Sequence, residues 1–137
     1  MEHKSRFSAS VARGENPRSA IVQAVAFACE YLAQANIPER TKVRSLVVVE
    51  ELVSNVLRHC DPARDVNFVL GLDAASDALV IELNDDSFEF DMSRKLEFTG
   101  PDPVEGGSVG LAIVHAWGQD MSYDRRDGLN QLRLKVR

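Results

Sequence analysis

The stretch VVVEELVSNVLRHC, Val47–Cys60, decides how the rest of the chain is read. Its apolar spacing is that of a helix. Glu51, Asn55 and His59 follow Val47 at intervals of four, and residues four apart are neighbours on one helix face. With Val43 added, the row turns from apolar to polar along its length. Val43 and Val47 are expected to hold the helix to a sheet, while Glu51 and Asn55 leave the core for a cleft. A carboxylate and an amide oxygen one turn apart suit a hard cation such as Mg²⁺. Alternatively, one holds the metal and the other handles a proton. The same residues also fit a solvated helix face closed by a histidine that the helix dipole favours.

Upstream, RFSASVA (Arg6–Ala12) alternates Phe7, Ala9 and Val11 with polar residues, as a half-buried strand does. Pro17 can open a helix. It carries Ile21, Val25, Ala28 and Leu32 and ends near Pro38, because the residue before a proline disfavours helix. The central helix then runs from Pro38 or Glu39 to about His59. Downstream, Val66–Ala74 and Leu79–Asn84 read as a hairpin. The segment Met92 to Gly107, rich in glycine and proline, reads as a loop, and Val109–Gly118 as a short helix. Asp127-Gly128 is a favoured primed turn, flanked by Met121 and Tyr123 on one side and Leu132, Leu134 and Val136 on the other. The order β-α-α-β-β-loop-α-β-β predicts one α+β domain. It would be a two-layer sandwich with a mixed, mostly antiparallel sheet and helices on one face. No Gly-x-Gly-x-x-Gly follows the first strand, which disfavours a dinucleotide fold.

Composition narrows the function. The 137 residues fit one domain, and 45% hydrophobic residues suffice for a real core. A formal net charge of −5 argues against general nucleic-acid binding, which needs a basic face, but leaves room for a single nucleotide. No apolar run approaches the ~20 residues that span a bilayer, and the N-terminus lacks a signal-peptide core. The expectation is a cytoplasmic protein that engages neither membrane nor nucleic acid. Cys29 and Cys60 are expected to be reduced, structural thiols, and no further Cys or His lies at zinc spacing.

Two other stretches carry chemistry. In LNDDSFEFD, Asp85 ends an apolar strand, where a carboxylate can accept a hydrogen bond from an exocyclic amine such as that of adenine. The plainer reading is an Asx-type turn, with Phe88 and Phe90 packing in the core. In GGSVGLAIV, glycines precede a helix whose N-terminus offers free N–H groups to phosphate. The plainer reading is a flexible loop. No Gly-Lys-Ser/Thr follows, so this is not a Walker motif.

Glu-x-x-x-Asn on a helix, Asp after a strand and a Gly-rich loop entering a helix occur here in that order within one small domain. The combination resembles the GHKL (Bergerat-fold) ATP-binding superfamily. VVVEELVSNVLRH and the closing SYDRRDGLNQLRLKV resemble most its bacterial anti-sigma factor serine/threonine kinase branch. The resemblance covers about Phe7 to Val136. It implies a single ATP-binding domain over 1–137, an ATP lid at approximately 92–109, and ATP and Mg²⁺ as cofactors. It implies Glu51 as the catalytic group, Asn55 as the Mg²⁺ ligand at the ATP phosphates, and Asp85 on the adenine amine. Gly107, Ser108, Val109, Gly110 and Leu111 then surround the phosphates, with His59 and Ser87 in support. The implied activity is phosphorylation of a STAS-domain anti-sigma antagonist by a homodimer whose second partner is a sigma factor or another response regulator.

Two residues depart from that pattern. Ser87 and Ser108 stand where the superfamily usually has glycine, a residue used for positive φ or close approach. They keep open a second reading, an ATP-binding interaction module that sequesters its partner without catalysis, and beside it a different ATPase activity. A histidine-kinase catalytic domain fits less well. The chain shows no dimerisation helix pair with a phospho-acceptor histidine, and His115 falls within the helix after the lid.

Overall fold

A computed structural model describes residues 4–94 and 107–137, with side chains from residue 110 onward in the second stretch. The elements are β1 (Lys4–Val11), α1 (Arg18–Gln34), α2 (Glu39–Arg58), β2 (Val66–Ala75), β3 (Ala78–Asp85), α3 (Gly107–Trp117), β4 (Gly118–Arg126) and β5 (Leu129–Val136). The strands form one sheet in the order β1-β2-β3-β5-β4. All four junctions are antiparallel, so the α+β sandwich stands and the expected mixed sheet is antiparallel throughout its described strands.

Strand alternation builds the core face. Leu72, Ile81 and Leu134 pair across β2, β3 and β5, and Leu70, Leu83 and Leu132 form the next row. All six are buried. The row after that is Phe68, Asp85 and Asn130. The apolar layer therefore ends in two polar side chains in register with it, exposed by only 2% and 4%. This row sets the position of the site.

The helices cover that layer. α1 presents Ala20, Ala24, Ala28 and Leu32, whose small side chains let it approach closely. Ile21 and Val25, expected on this face, are only half-buried beside it. α2 presents Ser45, Val48, Val49, Leu52, Val53 and Val56, and α3 adds Leu111 and Val114. Each fully buried Leu or Val contributes about 1.5–3 kcal/mol. Beyond this core, Glu82 meets Lys4 at 3.9 Å and Arg133 at 3.5 Å, partly exposed pairs that contribute little.

One expectation is overturned. Val43 is 55% exposed and Val47 half-buried, so neither anchors α2 to the sheet. A row at intervals of four drifts by about 40° per step on a helix of 3.6 residues per turn. Four steps carry it roughly 160° around the axis. The row from Val43 to His59 thus starts in solvent and enters the protein at Asn55, the reverse of the expected direction.

The turns follow their residues. Asp127 and Gly128 both have positive φ, 53° and 76°, as a primed hairpin turn requires. β4 carries an irregularity between Gln119 and Ser122, with Asp120 at φ 51°. α3 begins at Gly107, two residues ahead of the expected Val109. Of the expected loop and lid, Met92 is buried in the core, and residues 95–106 lie outside the described residues. Among the described residues, no helix is long and apolar enough to cross a membrane.

Candidate functional site

β3 delivers Asp85 to the end of the core face. Its Oδ1 accepts from the Ser87 N–H at 3.0 Å, from the Ser87 hydroxyl, and from Asn130 Nδ2 at 3.0 Å. These three donors all use one oxygen. Among the described residues Oδ2 receives none, which leaves it to accept from a ligand amine. Ser87 is not among the described non-glycine residues with positive φ. Serine is therefore accommodated without backbone strain here, and its hydroxyl orients Asp85.

Asn130 is the hub that sequence reading missed. Its Nδ2 also donates to the Phe88 carbonyl at 2.8 Å. Its Oδ1 accepts from the Phe90 N–H at 3.3 Å, the Tyr123 hydroxyl at 2.6 Å and Arg125 Nη1 at 3.1 Å. Arg125 also donates to the Ser87 carbonyl at 2.9 Å. Burial, followed by the nearby Glu89 charge, pushes the Tyr123 phenol up from its ordinary range, so it stays a donor. A signal existed: Asn130 shares the inward parity of Leu132, Leu134 and Val136.

α2 supplies the other wall. Glu51 lies against α3: a Cβ built on Gly110 would be 2.8 Å from Glu51 Cδ. Asn55, one turn on, is 1% exposed, and among the described residues neither its Oδ1 nor its Nδ2 has a hydrogen-bond partner. Each unpaired buried polar group costs about 1–3 kcal/mol. Ser45 Oγ and His115 Nε2 are the other such atoms among the described residues, but Asn55 leaves a whole amide unpaired. His59 caps α2 and stacks on Phe90, with ring centroids 4.9 Å apart and planes at 20°.

These contacts join into one assembly. His59 leads through Phe90 and Asn130 to Asp85, while Glu51 touches Gly110 and Asn55 lies between them on α2. Cys60 belongs to the same corner. Its thiol donates to the Leu57 carbonyl at 3.2 Å, and burial, then the Asp61 and Asp85 charges, push its pKa up against the lowering effect of a backbone hydrogen bond. Phe90 is packed as expected, whereas Phe88 is 55% exposed and is not a core residue. Both cysteines are free, but Cys29 faces solvent rather than the core.

The glycine-rich segment forms the start of α3. Gly107, Ser108 and Val109 occupy its first turn, where backbone N–H groups lack intrahelical partners. Their side chains lie outside those described. Gly110 is buried beside Glu51. Leu111 points into the core. A helix start of this kind suits phosphate.

The Asn55 amide fits a metal–phosphate group. Its oxygen is a hard ligand of the kind Mg²⁺ prefers, and its N–H₂ can donate to phosphate oxygen. Among the described residues no group of three or more His, Cys, Asp or Glu could hold a metal. A cation at Asn55 would complete its shell from phosphate and water, as Mg²⁺ commonly does.

A cavity of about 680 Å³ opens at the other end of the strands, against Phe27, Tyr31, Ile37 and Ala74. None of the sequence-predicted site residues is among its described lining residues. Among the described residues its lining has one carboxylate, Glu30, and no basic side chain, which does not suit phosphate. The chemistry is therefore assigned to the Asn55–Asp85 end.

A model for the histidine kinase-like ATPase domain matches residues 15–136, and the chain belongs to this family of the GHKL superfamily. It is thus an ATP-binding, kinase-like ATPase domain. No curated protein matches the chain.

Proposed function

We propose that the chain is an ATP-dependent serine/threonine protein kinase of the anti-sigma type, acting in the cytoplasm as a homodimer. Its substrate would be a STAS-domain antagonist, and a sigma factor or another response regulator its alternative partner. The observation that carries the nucleotide part is the buried, unpartnered Asn55 amide, one turn from Glu51 and on the same core side as Asp85. The kinase part is supported by Glu51, the carboxylate beside the start of α3.

Asp85 Oδ2 accepts from the adenine amine. The first turn of α3 donates N–H groups to phosphate oxygens. Asn55 would hold Mg²⁺ together with the phosphates, and the cation would supply neutralisation of the charge that develops during transfer. The partner's hydroxyl oxygen forms a bond to the γ-phosphorus as the bond to the β,γ-bridging oxygen breaks. ADP leaves, and Glu51 takes the hydroxyl proton. Such transfer depends on positioning and electrostatics, so few groups suffice.

The test is incubation with labelled ATP and STAS-domain proteins encoded nearby, using the wild type and Glu51→Ala. The wild type should label a serine or threonine. Glu51→Ala should bind ATP yet transfer about 10²–10⁴-fold more slowly. Undiminished transfer in Glu51→Ala overturns the assigned role. ATP binding without transfer to any candidate favours the sequestering module.

A further inference from the structure

We propose that Asn130 is a specificity-determining residue: it fixes the Asp85 carboxylate so that the site accepts a purine with an exocyclic amine and rejects one with a carbonyl there. This rests on the nucleotide-site reading above.

Three donors converge on Asn130 Oδ1, from Phe90, Tyr123 and Arg125, and two acceptors face Nδ2, Asp85 Oδ1 and the Phe88 carbonyl. This pattern determines the amide's orientation, because the flipped form would set donors against donors. With both N–H groups used, Asn130 has no donor left for a base. It acts through Asp85, as a positioning residue.

The consequence is directional. Asn130 and Ser87 together occupy Asp85 Oδ1 and stop the carboxylate from rotating. Among the described residues Oδ2 receives no donor, on a residue that is only 2% exposed. A purine amine satisfies it. A carbonyl at the same ring position brings acceptor against acceptor, and unpaired buried groups discriminate strongly. The same amide ties the carbonyl of Phe88 and the N–H of Phe90 to β5, so the segment after β3 is held by the residue that holds Asp85.

The experiment measures dissociation constants for Mg-ATP and Mg-ITP, whose base carries a carbonyl in place of the amine. The proteins are the full-length wild type, Asn130→Ala, Asn130→Asp, Asp85→Asn and the double variant Asp85→Asn/Asn130→Ala. Wild type should prefer ATP. Asn130→Ala should weaken ATP about tenfold and narrow the ATP-to-ITP ratio by a similar factor. Asn130→Asp keeps the shape but turns an acceptor toward Asp85, so ATP should weaken at least as much, and it decides the matter if the alanine variant does not fold. In the Asp85→Asn background, Asn130→Ala should cost less than about twofold further, because the two act as one unit. An unchanged ATP-to-ITP ratio in folded Asn130 variants overturns the proposal while leaving the nucleotide site intact. An equal loss in both backgrounds does the same. Failure of the wild type to bind either nucleotide removes the nucleotide site itself, and the proposal with it.

Discussion

Glu51 and Gly110 touch across the contact between α2 and α3: a methyl group at Gly110 would come within 2.8 Å of the Glu51 carboxyl carbon. Glycine there is a condition for the position of the carboxylate. Gly110→Ala should gain about 1 kcal/mol of helix propensity and lose part of it to the displaced side chain, so stability changes little. Phosphoryl transfer should fall about 10–100-fold, since small misplacements of a positioned group are costly. Transfer assays beside an ATP titration check this, with affinity expected to hold while rate drops.

A second glycine carries the fold rather than the chemistry. A Cβ on Gly118 would meet the Val114 carbonyl at 2.7 Å, Leu134 Cδ1 at 2.8 Å and Met121 Cε at 2.5 Å. The carbonyl belongs to α3 and cannot yield without moving the helix. Gly118→Ala should therefore destabilise by about 1–3 kcal/mol. Urea denaturation should show a lower midpoint with an unchanged slope.

Local signals made most of the fold legible in the sequence. The alternation at Phe7, Ala9 and Val11, the Asp127-Gly128 turn and the proline boundaries at Pro17 and Pro38 are each decided by a few adjacent residues. Val43 is the exception: a four-residue row is not straight but winds about 40° per step, so its apolar start does not mark the buried face. Glu51, Asn55 and Asp85 were legible as chemistry because each breaks an apolar pattern. Asn130 breaks one too, two residues before Leu132. Its role depends on partners 5 to 45 positions away, and no local period reports those.

The two cysteines should differ in their reactivity. The thiolate is the reactive form. Burial first, and then the charges of Asp61 and Asp85, raise the Cys60 pKa. At a given pH it therefore holds less thiolate than an unburied cysteine. Iodoacetamide labelling followed by mass spectrometry over about pH 7–10 should modify exposed Cys29 first. Cys60 labelling should rise only at higher pH than for a free thiol. Asp85→Asn removes one of the charges and should move the Cys60 curve to lower pH.

The most direct test of the account is thermal denaturation of the wild type and Asn55→Leu, each with and without Mg-ATP. Leucine nearly matches asparagine in shape and removes an amide that has no partner among the described residues. Replacing such a group is nearly neutral or stabilising. The ligand-free variant should melt at or above the wild type. Mg-ATP at a hundredfold excess over its dissociation constant should stabilise the wild type by about 2.7 kcal/mol and leave Asn55→Leu nearly unmoved. Equal stabilisation of both proteins by Mg-ATP, or none of the wild type, would contradict the assignment of Asn55 to a metal–phosphate site.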